Sequence, residues 1–124
     1  MSETAPSSAP WPTELRLRDA GRTLAVSYDD GKSYTLSAEY LRVSSPSAEV
    51  RGHSEAERQT VPGKRNVAIR DLVPTGNYAV RIVFDDGHQT GIYTWSYLRE
   101  LGVDEAAIWG RYLAELEAKG LTRG

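Results

Sequence analysis

Short alternations of apolar and polar residues run through most of this chain, and glycine punctuates them at recurring places. Leu15 and Leu17 alternate with Arg16 and Arg18, the period of a strand buried on one face. Asp19-Ala-Gly21 reads as a turn, and Leu24, Val26 and Tyr28 restart the alternation. Asp29-Asp-Gly31 then signals a hairpin, because glycine accepts the positive φ that tight turns demand. Tyr34-Thr-Leu36 is the returning strand. Ser37 is placed to cap a short helix near 38–43. Val67-Ala-Ile69 and Leu72 open a second set of strands, with a turn expected at Pro74-Thr-Gly76-Asn77. In Tyr78-Ala-Val80-Arg-Ile82-Val-Phe84, the strongest strand of the chain, the even-numbered residues share one face. Asp85-Asp-Gly87 turns it back through Gly91-Ile-Tyr93, and a short helix near 95–101 follows, with Gly102 as its stop. Asp104 is an N-cap candidate for a longer helix near 104–119. Ile108, Trp109, Tyr112, Leu113 and Leu116 fall on one side of that helix.

The pattern repeats itself. Tyr28-Asp-Asp-Gly31 returns as Phe84-Asp-Asp-Gly87, 56 positions on (28 to 84), and Tyr40-Leu-Arg42 returns as Tyr97-Leu-Arg99, 57 positions on (40 to 97). Each half reads strand, Asp-Asp-Gly turn, strand, short helix. Two copies are too few for a solenoid. The fold class expected is α+β, with small antiparallel sheets built from a duplicated strand–turn–strand–helix unit and a C-terminal helix. Residues 1–12 carry Pro6, Pro10 and Pro12 among Ser and Ala and read as a disordered leader. The domain is expected to occupy 13–120, with a tail at 121–124.

Composition narrows the chemistry. A chain of 124 residues suits one domain. With 15 basic and 17 acidic side chains the net charge is −2, which gives no general attraction to nucleic acid or to an anionic membrane. There is no cysteine, so disulfides, thiolate zinc sites and cysteine nucleophiles are excluded. No apolar run approaches the roughly 20 residues of a membrane helix, and the N-terminus lacks the charged and apolar regions of a signal peptide. A cytoplasmic location is the expectation.

Residues 44–65 break the strand pattern, with Ser44-Ser-Pro-Ser47, Gly52-His53 and Pro62-Gly63 marking an irregular connection. A connection this long in a small domain is a natural place for recognition. Arg51, His53, Arg58, Lys64 and Arg65 are the interaction candidates, opposed by Glu49, Glu55 and Glu57. The Lys64-Arg65 end is expected to stay exposed, and the backbone near His53 to pack on the hairpin carrying His88. His53, Glu55 and His88 form a His-x-acid…His pattern, which on one face would hold Fe or Zn. The competing reading makes His53 a loop residue and His88 a hairpin residue bonded to its surroundings. Asp29-Asp30 and Asp85-Asp86 read as turn residues rather than cation ligands. Tyr78, Tyr93, Trp95 and Tyr97 could form an aromatic cage for a trimethylammonium group, but strand alternation favours core or sheet-edge roles. Ser44, Ser45 and Ser47 lack the setting of a serine nucleophile.

Three stretches carry a family resemblance: Leu41-Arg-Val-Ser-Ser-Pro-Ser-Ala-Glu-Val-Arg-Gly-His53, Pro62-Gly-Lys-Arg65, and Gly76 through Leu98 with its Phe-Asp-Asp-Gly-His88 turn. Over residues 14–118 the chain resembles the gamma-butyrobetaine hydroxylase N-terminal-like family. Similar domains precede the catalytic domain of gamma-butyrobetaine and trimethyllysine hydroxylases and end some chloroplast iron–sulfur scaffold ATPases. In the hydroxylases the module is a zinc-binding structural domain with three cysteines and one histidine. The resemblance places those cysteines at Ser45, Ser47 and Val50 and the histidine at His88. Only His88 survives, so the resemblance implies a fold without its zinc. The iron and 2-oxoglutarate site of the hydroxylases lies in a separate domain, and no phosphate loop is present, since Gly31-Lys-Ser33 has Val26 where the first glycine of such a loop would stand. The reading is a non-enzymatic accessory or protein-interaction domain that takes no cofactor. It would act on an unidentified protein partner or by self-association. The alternative is a small metal-binding protein (Fe or Zn) linked to iron–sulfur or 2-oxoglutarate oxygenase chemistry.

Overall fold

The computed structural model describes residues 10–51 and 59–124. Two three-stranded antiparallel sheets form its frame. β1 (Pro12–Arg18), β2 (Thr23–Tyr28) and β3 (Ser33–Ser37) build the first, in that spatial order, and lead into helix α1 (Ala38–Val43). A single turn, α2 (Ala48–Arg51), follows. β4 (Ile69–Thr75), β5 (Ala79–Phe84) and β6 (Ile92–Thr94) build the second sheet and lead into α3 (Trp95–Val103) and α4 (Glu105–Ala118). The duplicated unit read from the sequence is therefore a physical repeat, followed by the expected C-terminal helix.

The correspondence reaches the register. β1 pairs Pro12 with Tyr28 and resumes after an irregularity with Glu14 opposite Ser27; β4 pairs Ile69 with Phe84 and resumes after the same irregularity with Asp71 opposite Val83. In each central strand alternate residues face inward: Leu24, Val26 and Tyr28 in one, Val80, Ile82 and Phe84 in the other, all at most 3% exposed. Both short helices are capped alike, since Ser37 Oγ accepts from Tyr40 N–H and Thr94 Oγ1 accepts from Tyr97 N–H.

The units also exchange equivalent contacts. Tyr40 OH in α1 donates to Leu101 O in α3 (2.7 Å), and Tyr97 OH in α3 donates to Ser44 O at the end of α1 (2.7 Å). Arg42 pairs with Asp86 of the second turn, and Arg99 pairs with Asp30 of the first. When A holds B as B holds A, the two units are related as in an isologous dimer fused into one chain. One core results, with Tyr40, Leu41, Phe84, Tyr93, Leu98 and Leu101 among its fully buried side chains.

Four local expectations are corrected. Gly102 does not end α3, which runs to Val103. Its missing side chain instead makes room for Tyr34, whose Cγ would lie 2.5 Å from a Cβ placed there. Asp104 makes no side-chain cap, because α3 runs almost directly into α4: Asp104 N–H donates to Glu100 O while Asp104 O accepts from Ile108 N–H. Pro74 belongs to β4 rather than to a turn, and the edge position of β4 tolerates its missing N–H. In α4, Tyr112 and Leu116 are buried and Ile108 and Trp109 half-buried, but Leu113 is 38% exposed, since α4 meets the core along a narrower stripe than the sequence suggests. Residues 121–124 lie back on the domain: Arg123 grips the buried Glu39 carboxylate with Nη2 and Nε (2.7 and 2.8 Å) and stacks over Trp109.

Candidate functional site

The second Asp-Asp-Gly turn and the chain leaving α1 meet in a buried polar cluster. The turn places Asp86 so that Oδ1 accepts the His88 N–H (3.0 Å), and Phe84 N–H donates to His88 O (2.9 Å). This local bonding is what Asp does before a turn glycine. It directs the His88 ring inward, where it is 7% exposed, tilted against Phe84, with Nε2 2.9 Å from Ser45 Oγ. Ser45 is 2% exposed and also accepts the Ser47 N–H (3.2 Å). Ser47 Oγ in turn lies 2.8 Å from Thr90 Oγ1. The space for these residues comes from Gly91, where an added Cβ would sit 2.4 Å from Ser45 Oγ. Burial pushes the neighbouring Tyr93 phenol above its ordinary range, against the pull of a Ser45 hydrogen bond and the Arg42 charge.

Asp86 Oδ2 accepts from Arg42 Nε (2.8 Å) and from Lys64 Nζ (2.7 Å). Burial alone would raise the Asp86 pKa. The hydrogen bonds from Lys64, the His88 N–H and Arg42 outweigh it and hold the carboxyl at about 2. Lys64 is thus engaged with Asp86, its side chain 22% exposed, and not the free end expected; Arg65 does stay exposed. The last part of the connection is stapled to α4: Tyr112 OH donates to Val61 O (2.6 Å) and Lys119 Nζ to Thr60 Oγ1 (2.7 Å). Gln59 N–H donates to Val50 O (2.6 Å), which closes a stem beneath the intervening residues.

The sequence candidates separate on this geometry. His88 is a hydrogen-bonded hairpin residue. His53, Glu55 and Arg58, and the side chain of Arg51, lie outside the described residues, and with them the His53–Glu55–His88 metal set and the contact between His53 and the hairpin. Among the described residues no group of three His, Cys, Asp or Glu is arranged to hold a metal ion. At the positions where resemblance implies zinc, the donors are two serine hydroxyls and one imidazole already bonded to a hydroxyl, beside the isopropyl group of the buried Val50. That set does not fit zinc. The four aromatics do not form a cage: Tyr93 is fully buried, Tyr78 is 52% exposed, Tyr97 bonds Ser44 O, and Trp95 Nε1 donates to Asn77 O. Arg42, Asp86, Thr90 and Gly91 were not anticipated as parts of a site. The Tyr-Leu-Arg echo was the signal for the first two, because it repeats an arginine 12 positions after Asp30 (30 to 42) and 13 after Asp86 (86 to 99).

Residues 15–99 match the family described as gamma-butyrobetaine hydroxylase-like, N-terminal. Two proteins with NMR solution structures are similar to this chain throughout. One is 46% identical with a TM-score of 0.81, covering 98% of this chain and 91% of that one. The other is 44% identical with a TM-score of 0.79, covering 92% and 90%. A crystal structure of a protein with unknown function of the DUF971 family, from Acidithiobacillus ferrooxidans, is 41% identical with a TM-score of 0.61 over 73% of this chain and 91% of that one. No curated protein matches the chain. No helix among the described residues is long and apolar enough to cross a membrane.

Proposed function

The chain belongs to the gamma-butyrobetaine hydroxylase-like, N-terminal family, and from that premise we propose that it is a non-enzymatic, cytoplasmic accessory domain that works by binding a protein partner. One observation carries the reading. The polar side chains gathered at the second turn are spent on holding the two units together: Ser45 on His88, Ser47 on Thr90, Arg42 and Lys64 on Asp86. A catalytic group must be within reach of a substrate atom, whereas Ser45 and His88 are almost wholly enclosed. The two ends of the connection meet where Gln59 N–H donates to Val50 O, and a loop anchored at both ends suits recognition. Its basic residues Arg51, Arg58 and Arg65, together with His53, are the contacts proposed.

Affinity capture from the native host, with the intact chain as bait, tests this. The triple substitution Arg51→Ala, Arg58→Ala, Arg65→Ala should lower recovery of a specific partner while leaving the melting temperature unchanged. Lys64 is left intact because its loss would disturb Asp86. Equal recovery by the variant would remove the connection from the interface.

A further inference from the structure

The two Arg–Asp pairs that clasp the units are made from the same residue types and finished differently. At the first, the Nη edge of Arg99 is taken up by one carboxylate: Nη1 and Nη2 meet the two oxygens of Asp30 (3.3 and 2.6 Å), and its face lies 5.0 Å from the centre of the Tyr28 ring. At the second, Asp86 is oversubscribed. Its Oδ1 holds the His88 N–H and its Oδ2 holds Lys64 Nζ, so Arg42 reaches Oδ2 only through Nε. Among the described residues Arg42 Nη1 is left buried without a hydrogen-bond partner. A buried donor in that state costs roughly 1–3 kcal/mol, and more when it is charged. Two cations here meet one carboxylate among the described residues, and their side chains reach solvent at 11% and 22% exposure. Among the described residues one positive charge of the cluster is left without a negative partner. A guanidinium edge is shaped to take such a partner through two parallel bonds to an oxyanion.

We propose that the Arg42–Lys64 end of the molecule binds one oxyanion, a carboxylate or a phosphate group, on the Nη edge of Arg42 with the Lys64 ammonium beside it. Asp86 keeps Nε and so fixes the guanidinium plane. The inference stands apart from the partner reading above, since a small anion would satisfy the same site.

Arginine side-chain and backbone NMR on the intact chain tests it, with inorganic phosphate, acetate and an acidic peptide as separate probes. Saturable shifts are expected at the Arg42 side chain and at the amides of Ser45, Ser47 and His88. Arg99, whose Nη edge Asp30 already occupies, is the internal control and should not move. Phosphate tighter than the peptide identifies a free-anion site, and the reverse identifies a partner's carboxylate; both support an oxyanion site. Arg42→Lys keeps the charge on Asp86 and loses the fork, so affinity should fall about tenfold. Lys64→Gln should weaken binding by a smaller factor and serves if the first variant folds poorly. The proposal is overturned if no probe gives saturable shifts, if Arg99 responds as Arg42 does, or if both variants bind as the parent does.

Discussion

The two ends of the molecule where the units clasp each other share a plan and differ in what fills it. At the first end Tyr34 of β3 packs into the room left by Gly102. At the second end the positions are reversed in size. Gly91 stands where the repeat has Tyr34, both being opposed to the middle of the central strand, and Ser45 stands where the repeat has Gly102. One end is thus closed by an aromatic ring under a stacked arginine, the other by a hydrogen-bonded Ser45–His88–Ser47–Thr90 group beside a shared aspartate. The difference teaches that two equivalent seams can be closed differently: tyrosine on glycine at one, glycine on serine at the other, and the second leaves room for polar chemistry.

The largest effect should come from closing that room. In Gly91→Ala the new methyl meets Ser45 Oγ inside a fully packed cluster, and a loss of about 3 kcal/mol is expected by thermal or denaturant unfolding. In a Ser45→Ala background the cost of Gly91→Ala should shrink. Gly102→Ala, whose methyl meets Cβ and Cγ at the root of the Tyr34 side chain, should carry a cost that Ser45→Ala leaves unchanged. Costs at both glycines unaffected by Ser45→Ala would erase the contrast.

Charge gives the next test. The Asp86 carboxyl at about 2 lies below its unfolded value, so it stabilises the fold above about pH 4, and that contribution is lost as pH falls toward 2. Asp86→Asn should therefore cost about 1–2 kcal/mol at pH 7, after allowance for solvent screening, and flatten the acid limb of the stability profile. Arg99 also lowers the Asp30 pKa, through its hydrogen bonds, but that pair is solvated, and Asp30→Asn should move the acid limb less. An identical acid limb in both variants would refute the asymmetry.

The reciprocal tyrosines should differ by less. Tyr40→Phe strands the buried Leu101 carbonyl and should cost about 1–1.5 kcal/mol. Tyr97→Phe frees the Ser44 carbonyl at a half-buried position and should cost about half as much. Smallest of all is the expected response to metal removal. Chelation should leave the melting temperature where it is, because hydroxyls and an isopropyl group stand where resemblance implies thiolates. A drop reversed by zinc would show that other residues bind the ion.

The fold was legible because it is written in local signals. Period-two alternation, two Asp-Asp-Gly turns, the caps Ser37 and Thr94 and the spacing of Tyr112 and Leu116 each act within a few residues, so the sequence alone determined the two sheets, the short helices and the last helix. It also determined that thiolate chemistry is excluded. The pairing of Arg42 with Asp86 and Arg99 with Asp30 joins residues 44 and 69 positions apart, and no local rule says which carboxylate an arginine will meet. For the same reason Lys64 read as a loop cation until the fold carried it to Asp86, and Gly102 read as a helix stop until Tyr34 was found over it. Leu113 has the right periodicity for the core but faces solvent, because the width of a buried stripe is set by what packs against the helix. Secondary structure follows from interactions near in sequence. The seams, the buried serine–histidine contact and the unfilled guanidinium exist only because the tertiary fold lays one copy of the repeat against the other.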